Sequence, residues 1–421
     1  MLPVKTSVLV ALLAVTTPAL AQQAPPPAAP RASYDQVVAN LKSPEADVRR
    51  DALRALGATA YPEAIAPLSQ LLTDPVDDIQ LETIYTLLSF YHVEKPEVVD
   101  REKGLRVRPT SRLTAAAQRI YDLGPYGLIP QPVPVELTNG LAQSMFDDNP
   151  RVRLESVYAL GVMARPPLDG YAAEALPRLL KDSVEDIREA AARVIGGLRV
   201  ATAGDALVEA LNDKSTPVAT ASMRALGDIK AWQSIQALTD QFTYYKGKGP
   251  RAEAAFDALA RIAHASSQPL FLEHLSSKQP NLRRLSAEGL ARSGNREAAQ
   301  QAGNALVNDK EVDVKLAGAF AAVVGTGVQS GGVSTLVSAL DHGAHHEQAM
   351  AYLVELGPRA VPGLDQALAS PDPATRERAA LVLGFIGGQE ALVLLERARG
   401  DSDLRVVRAA ERAIARLRKA A

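Results

Sequence analysis

The chain has 421 residues with 46 Lys and Arg against 48 Asp and Glu, so its formal charge of −2 provides no global field for nucleic acid or an anionic membrane. Cysteine is absent, which excludes disulfides, thiolate metal sites and a cysteine nucleophile. Aromatics make up only 5% while the apolar fraction is 47%, so the core must be Ala, Leu and Val, a composition for closely packed helices rather than a β-sandwich.

The N-terminus has the three parts of a secretory signal over residues 1–21. Lys5 supplies the positive start, residues 8–15 (VLVALLAV) the apolar stretch, and Ala19 and Ala21 the small residues before a cut ahead of Gln22. Residues 8–21 number 14, short of the roughly 20 that span a bilayer. Residues 22–33 begin QQAPPPAAP, a Pro/Ala-rich tether with nothing to bury. The chain is therefore expected to be exported, periplasmic or secreted, with no transmembrane segment once the signal is removed.

From Val48 onward one pattern recurs: small or aliphatic residues four, seven and eight positions after a starting residue, with Gly often at nine. Val48, Ala52, Ala55, Leu56 and Gly57 show it, as do Ile187, Ala191, Val194, Ile195 and Gly196. Val218, Ser222, Ala225, Leu226 and Gly227 repeat it, and so do Thr375, Ala379, Val382, Leu383 and Gly384. That spacing marks one face of an α-helix, and the glycine reads as a left-handed helix stop. Weaker copies start at Ile79, Ala116, Val152, Arg251, Leu282, Val314, Gln348 and about Arg405. A second apolar helix lies between copies, as over 64–72, 173–180, 205–211 and 389–395. Each hairpin has an apolar stripe that only stacking can bury. The fold class predicted over 34–421 is all-α, an α-solenoid of about twelve stacked hairpins.

The units resemble the short, bacterial, phycobilisome-lyase-like type of HEAT repeat. The resemblance rests on the openings Ala46-Asp47-Val48-Arg49, Glu185-Asp186-Ile187-Arg188 and Pro150-Arg151-Val152-Arg153. It rests also on A-x-x-A-L-G closings and on second helices ending Leu71-Leu72-Thr73-Asp74 and Leu179-Leu180-Lys181-Asp182. It implies a ladder of Arg and Asp linking successive turns, which Arg49, Arg188, Arg376 and Arg405 would join, with gaps where Gln80, Ala219 and Gln348 replace Arg. The deoxyhypusine hydroxylase family shares the repeat but carries several His-Glu pairs for two irons. Here only His346-Glu347 matches, with a reversed Glu273-His274 far away.

The period breaks over about 92–136. Residues 93–113 (VEKPEVVDREKGLRVRPTSRL) lack helical periodicity, and Arg106, Arg108 and Arg112 concentrate positive charge there. Long loops on a rigid scaffold carry function, and these guanidinium groups suit an acidic partner segment. Residues 241–250 (QFTYYKGKGP) set Tyr244 and Tyr245 beside two lysines, a pairing that serves peptide or glycan contact as well as a plain solvated turn. His342, His345, His346 and Glu347 offer metal-ligating side chains, but no distant ligand set accompanies them, H-E-x-x-H is incomplete, and a polar turn before the next helix is the simpler reading. No nucleophile elbow, nucleotide loop or catalytic triad is found, so no cofactor and no enzymatic activity are expected. The sequence reads as a monomeric scaffold for a protein or peptide partner, with no nucleic acid. The expected contact surface is a concave face of second helices carrying Gln70, Gln233, Gln236, Gln300, Gln301, Asn304, Ser334 and Gln366, together with the 93–113 loop. The alternative is a metal protein or enzyme centred on 341–347.

Overall fold

The computed structural model describes residues 33–59, 61–91, 113, 115–124, 128–129, 131–341 and 343–420. Residues 1–32, where a signal and most of a tether are expected, residues 92–112 and His342 lie outside them. After α1 (Tyr34–Asn40) comes α2 (Ala46–Gly57), then α3 (Ile65–Leu68), lengthened by tight turns over Pro62–Ala64 and Ser69–Thr73, and α4 (Asp77–Tyr91). An insertion holds α5 (Ala116–Asp122). Beyond it run α6 (Val135–Ser144), α7 (Pro150–Met163), α8 (Gly170–Ala175), α9 (Glu185–Gly197), α10 (Gly204–Ala210) and α11 (Thr216–Asp228). Next are α12 (Ile235–Tyr244), α13 (Gly249–Ile262), α14 (Gln268–His274), α15 (Pro280–Arg292), α16 (Arg296–Leu306) and α17 (Val312–Thr326). The array ends with α18 (Gly332–Ser338), α19 (His346–Leu356), α20 (Val361–Ala367), α21 (Pro373–Ile386), α22 (Gly388–Ala398) and α23 (Leu404–Ala420). No strand occurs among the described residues, and none of their helices is long and apolar enough to cross a membrane.

This is an α-solenoid of two helix rows. The first helices are α2, α4, α7, α9, α11, α13, α15, α17, α19, α21 and α23, and they stack on one another in that order. The second helices pack behind them. Side chains at the periodic columns are sealed in the core: Ala191, Val194, Ile195, Leu226, Val382 and Leu383 are fully buried. Helix starts are chemically specified. Asn149, Ser215, Asn295 and Asp372 each accept a backbone N–H of the first turn, and Pro150, Pro280 and Pro373 occupy first helical positions, where no N–H is needed.

The column glycines differ from expectation. Gly196, Gly227 and Gly384 lie inside their helices with ordinary helical φ, so they are not left-handed stops. Their role is close approach. A Cβ on Gly196 would fall 2.9 Å from Ala225 Cα, and one on Gly384 would fall 2.5 Å from Ala413 Cβ. Absence of a side chain lets neighbouring first helices touch nearly backbone to backbone.

The Arg–Asp ladder is present. Arg49 grips Asp74 through Nε (2.6 Å) and Nη2 (2.8 Å), and its Nη1 donates to the Ser43 and Pro44 carbonyls. The same two-pronged bond joins Arg153 to Asp182, Arg188 to Asp213, Arg283 to Asp309 and Arg376 to Asp401. Each aspartate also accepts the backbone N–H two residues on, as Asp74 does from Val76. Guanidinium suits this because its planar fork meets a carboxylate in parallel. Arg405 departs from the scheme and folds back onto Asp403 at 2.9 Å. Where the arginine is missing, Gln80 reaches Asp147, and Arg251 substitutes for the gap at Ala219 by donating to the Leu211 and Asp213 carbonyls.

Ala116 starts a helix but not a stacking unit. α4 packs directly on α7, where Tyr85 donates to Glu155 at 2.8 Å, and α6 is the intervening second helix. The seven-residue α5 instead lies across α7. Glu155, fully buried, accepts the backbone N–H groups of Ala116 and Ala117 at 2.9 Å each. With the inner side of α7 covered, that helix is buried nearly all round.

Candidate interaction surface

The curvature places the first-helix row on the inside of the array, where the sequence reading expected the second helices. Glu288 of α15 accepts from Tyr352 of α19 at 2.6 Å, and Arg292 of α15 grips Glu355 of α19 at 2.8 and 3.0 Å. These bonds pass over α17. Side chains of helices two steps apart meet only on the inside of a bend, and the glycine contacts show how tightly that inner row closes. The glutamines expected on a concave second-helix face therefore stand on the outer row. Their abundance in exposed positions gave no indication of which row lies inside.

Charged residues at a spacing of four run up four of the inner helices: Glu189 and Arg193 on α9, Arg224 and Asp228 on α11, Glu253, Asp257 and Arg261 on α13, Arg284, Glu288 and Arg292 on α15. Most are paired. Arg193 donates to Tyr158 at 3.2 Å and to Asp122 of α5, and its guanidinium lies 5.3 Å from the centre of the Tyr121 ring. Tyr121 in turn donates to the Arg193 carbonyl at 2.9 Å, and burial pushes its phenol up to about 12. Arg261 bonds Asp257 at 2.9 Å and Asp228 at 2.8 Å. Burial raises the Asp228 carboxyl, and Arg261 only partly offsets it. Glu288 is the best satisfied: Arg284, Arg292 and Tyr352 all donate to it. Burial opposes its ionisation, but the two arginines prevail and hold it below the usual glutamate range.

Three grooves follow this row. The first, of about 310 Å³, is lined by Tyr121, Glu189, Arg193, Thr220, Arg224 and Asp228. The second, of about 330 Å³, shares Thr220 and Arg224 with it and continues along Glu253, Asp257, Arg261 and Arg284. The third, of about 200 Å³, shares Asn281 and Arg284 and ends at Asp313 and His345. The surface is a continuous polar trough, suited to a hydrogen-bonding, charged chain rather than an apolar ligand.

The residues singled out in the sequence are dispersed. Arg106, Arg108, Arg112 and His342 lie outside the described residues, but the N–H of Leu113, just beyond them, donates to Asp186 of α9 at 2.8 Å. Tyr244 is 79% exposed and meets Tyr245 edge-on at 5.0 Å, beside a cleft formed with Asn212, Gln241 and Arg251. This cleft is separate from the trough. His345 bonds Asp313 at 2.6 Å, whereas His346 turns to the Gly343 carbonyl at 2.9 Å and Glu347 faces solvent. Among the described residues no group of three or more His, Asp or Glu is arranged to hold a metal. The inner-row charges had a readable signal, a column of charge on the side of each helix away from the apolar columns.

The chain belongs to the HEAT-repeat family: the family's model matches residues 14–117, 172–246 and 333–415, together more than half of the sequence. No curated protein matches it. Among solved structures it is similar to an engineered protein, with 18% identity, 91% of this chain and 98% of that one covered, and a TM-score of 0.35. It is also similar to human deoxyhypusine hydroxylase in complex with glycerol, at 20% identity over 67% and 96% with a TM-score of 0.29. A third is the complex of CpcE and CpcF of phycocyanin lyase from Nostoc, at 18% identity over 80% and 98% with a TM-score of 0.31.

Proposed function

We propose that this HEAT-repeat chain is an exported scaffold that binds a protein or peptide partner along the inner face of its first helices. The observation that carries the reading is the trough itself, continuous over α9, α11, α13, α15 and α17 and lined by charged and hydrogen-bonding side chains. Stacked repeats create such extended surfaces, and peptides use them by lying along the row. The basic segment 93–113 forms a second contact in this reading, since its end at Leu113 is tied to α9, the helix whose Glu189 and Arg193 line the trough. Alternating signs favour a polypeptide over nucleic acid, which asks for a basic stripe. A metal-dependent activity at 341–347 has less support, because His345 and His346 are engaged by different partners.

The test is affinity capture from the native envelope fraction with the parent chain and with Thr220→Trp. Thr220 lines both larger grooves, so an indole there blocks the trough. The partner held by the parent is lost from the variant; retention at equal affinity removes the inner face from the proposal. N-terminal sequencing of the exported protein should begin at Gln22, and a mature chain that keeps Met1 refutes the export part.

A further inference from the structure

Within the trough, three charges are left over after the ion pairs are assigned. Among the described residues Glu189, Arg224 and Glu253 make no hydrogen bond or salt bridge, whereas their neighbours Arg193, Asp228, Asp257 and Arg261 are all paired. Arg224 is exposed and lines both larger grooves, with Glu189 in the one and Glu253 in the other. The unpaired signs therefore run negative, positive, negative across α9, α11 and α13. A free arginine fork in a concave polar trough is a carboxylate receptor without its carboxylate.

Resting on the scaffold reading above, we propose that the trough takes an extended partner segment in which an acidic residue seats on Arg224 and basic residues three positions to either side seat on Glu189 and Glu253. The spacing follows from geometry. Packed helix axes lie about 8–10 Å apart, and a chain in the extended polyproline-II form advances about 3.1 Å per residue with three residues per turn, so one helix step matches three residues and every third side chain faces the trough. The partner motif is basic-x-x-acidic-x-x-basic. Direct complementarity of this kind specifies register, and the reversed motif places like charges together.

The probe is a synthetic, terminally blocked heptapeptide, Lys-Pro-Pro-Glu-Pro-Pro-Lys, whose prolines preset the polyproline-II form. Its affinity for the full chain is measured by calorimetry against Glu-Pro-Pro-Lys-Pro-Pro-Glu. The first peptide should bind at least tenfold more tightly, and Arg224→Ala should erase that preference with unchanged helical circular dichroism and melting. A triple variant, Glu189→Lys, Arg224→Glu and Glu253→Lys, should prefer the reversed peptide. Equal affinity of the parent for both peptides, no binding of either, or indifference to Arg224→Ala overturns the proposal. If the captured native partner is lost with Thr220→Trp while the peptide affinities ignore Arg224, the scaffold reading stands and only this charge register fails. If Thr220→Trp leaves the native partner bound, the inner-face reading itself has failed.

Discussion

Gly196 and Gly204 differ in what surrounds the missing Cβ, and the difference sets opposite signs for the same substitution. Alanine in place of glycine inside a helix ordinarily stabilises by up to about 1 kcal/mol through propensity. At Gly196 the new carbon would lie 2.9 Å from Ala225 Cα, which is backbone and can yield only if α9 and α11 separate. At Gly204, the first residue of α10, nothing lies within 4 Å. Gly196→Ala should therefore lower the melting temperature and Gly204→Ala should leave it level or slightly higher; the reverse order would contradict the close-packed inner row. The ladder gives a second prediction at this scale. Arg283 and Asp309 are each 11% exposed in the side chain, and Asp309→Asn should cost roughly 1–3 kcal/mol by leaving the guanidinium half-paired. The Arg283 fork holds the Asp309 carboxyl below its usual value, and Arg376 does the same for Asp401. A depressed carboxyl stabilises the fold above its unfolded value near about pH 4, and that contribution is lost as pH falls through the lower native value. Denaturant titrations should accordingly show the gap between parent and Asp309→Asn narrowing below about pH 4. A gap unchanged at pH 2 would mean the ion pair is not its source.

At the scale of elements, α5 is held by one buried carboxylate. Glu155 accepts from Tyr85 and from the backbone N–H groups of Ala116 and Ala117. Glu155→Ala removes three acceptor contacts at once, so hydrogen exchange should rise sharply over 116–122 and in α7 while α13 to α23 keep their protection. Uniform loss across the chain would show that α5 is instead integral to the stack. The same helix marks the limit of what periodicity conveys. For α9 the columns of Ile187, Ala191, Val194 and Ile195 are legible because burial selects apolar residues at helical spacing, and the ladder follows from its Asp and Arg. Ala116 satisfies the same columns, yet its partner Glu155 lies 39 residues away and can be matched to it only in space. Gly196 misleads for a related reason: stop and close approach both demand glycine, and only the neighbour's distance separates them. The inner-row charges were visible as letters, but which helix row lies inside a bend depends on curvature that no single repeat encodes.

For the whole molecule, the bonds over α17 change how the array should come apart. A strict solenoid has only nearest-neighbour interfaces, so its repeats open in sequence from the ends or from the weakest unit. Here α15 and α19 are joined directly through Glu288 with Tyr352 and Arg292 with Glu355, while Phe320 of α17 stacks on Tyr352 at 4.8 Å beneath them. Opening α17 alone must break the bonds between its neighbours as well. The three helices should therefore exchange their amide protons as one cooperative block, with similar opening free energies. Tyr352→Phe keeps the ring and its stacking but removes the hydroxyl that donates to Glu288, and Glu355→Gln removes the charge that Arg292 grips. In the double variant α19 should open at lower free energy than α15, while the parent shows no such separation. The contributions of the two contacts should also be non-additive, because both end on the arginine-bound Glu288 network. If native-state exchange in the parent already resolves α15, α17 and α19 into independent steps, the inner-row bonds do not couple the units and the array behaves as a simple nearest-neighbour stack.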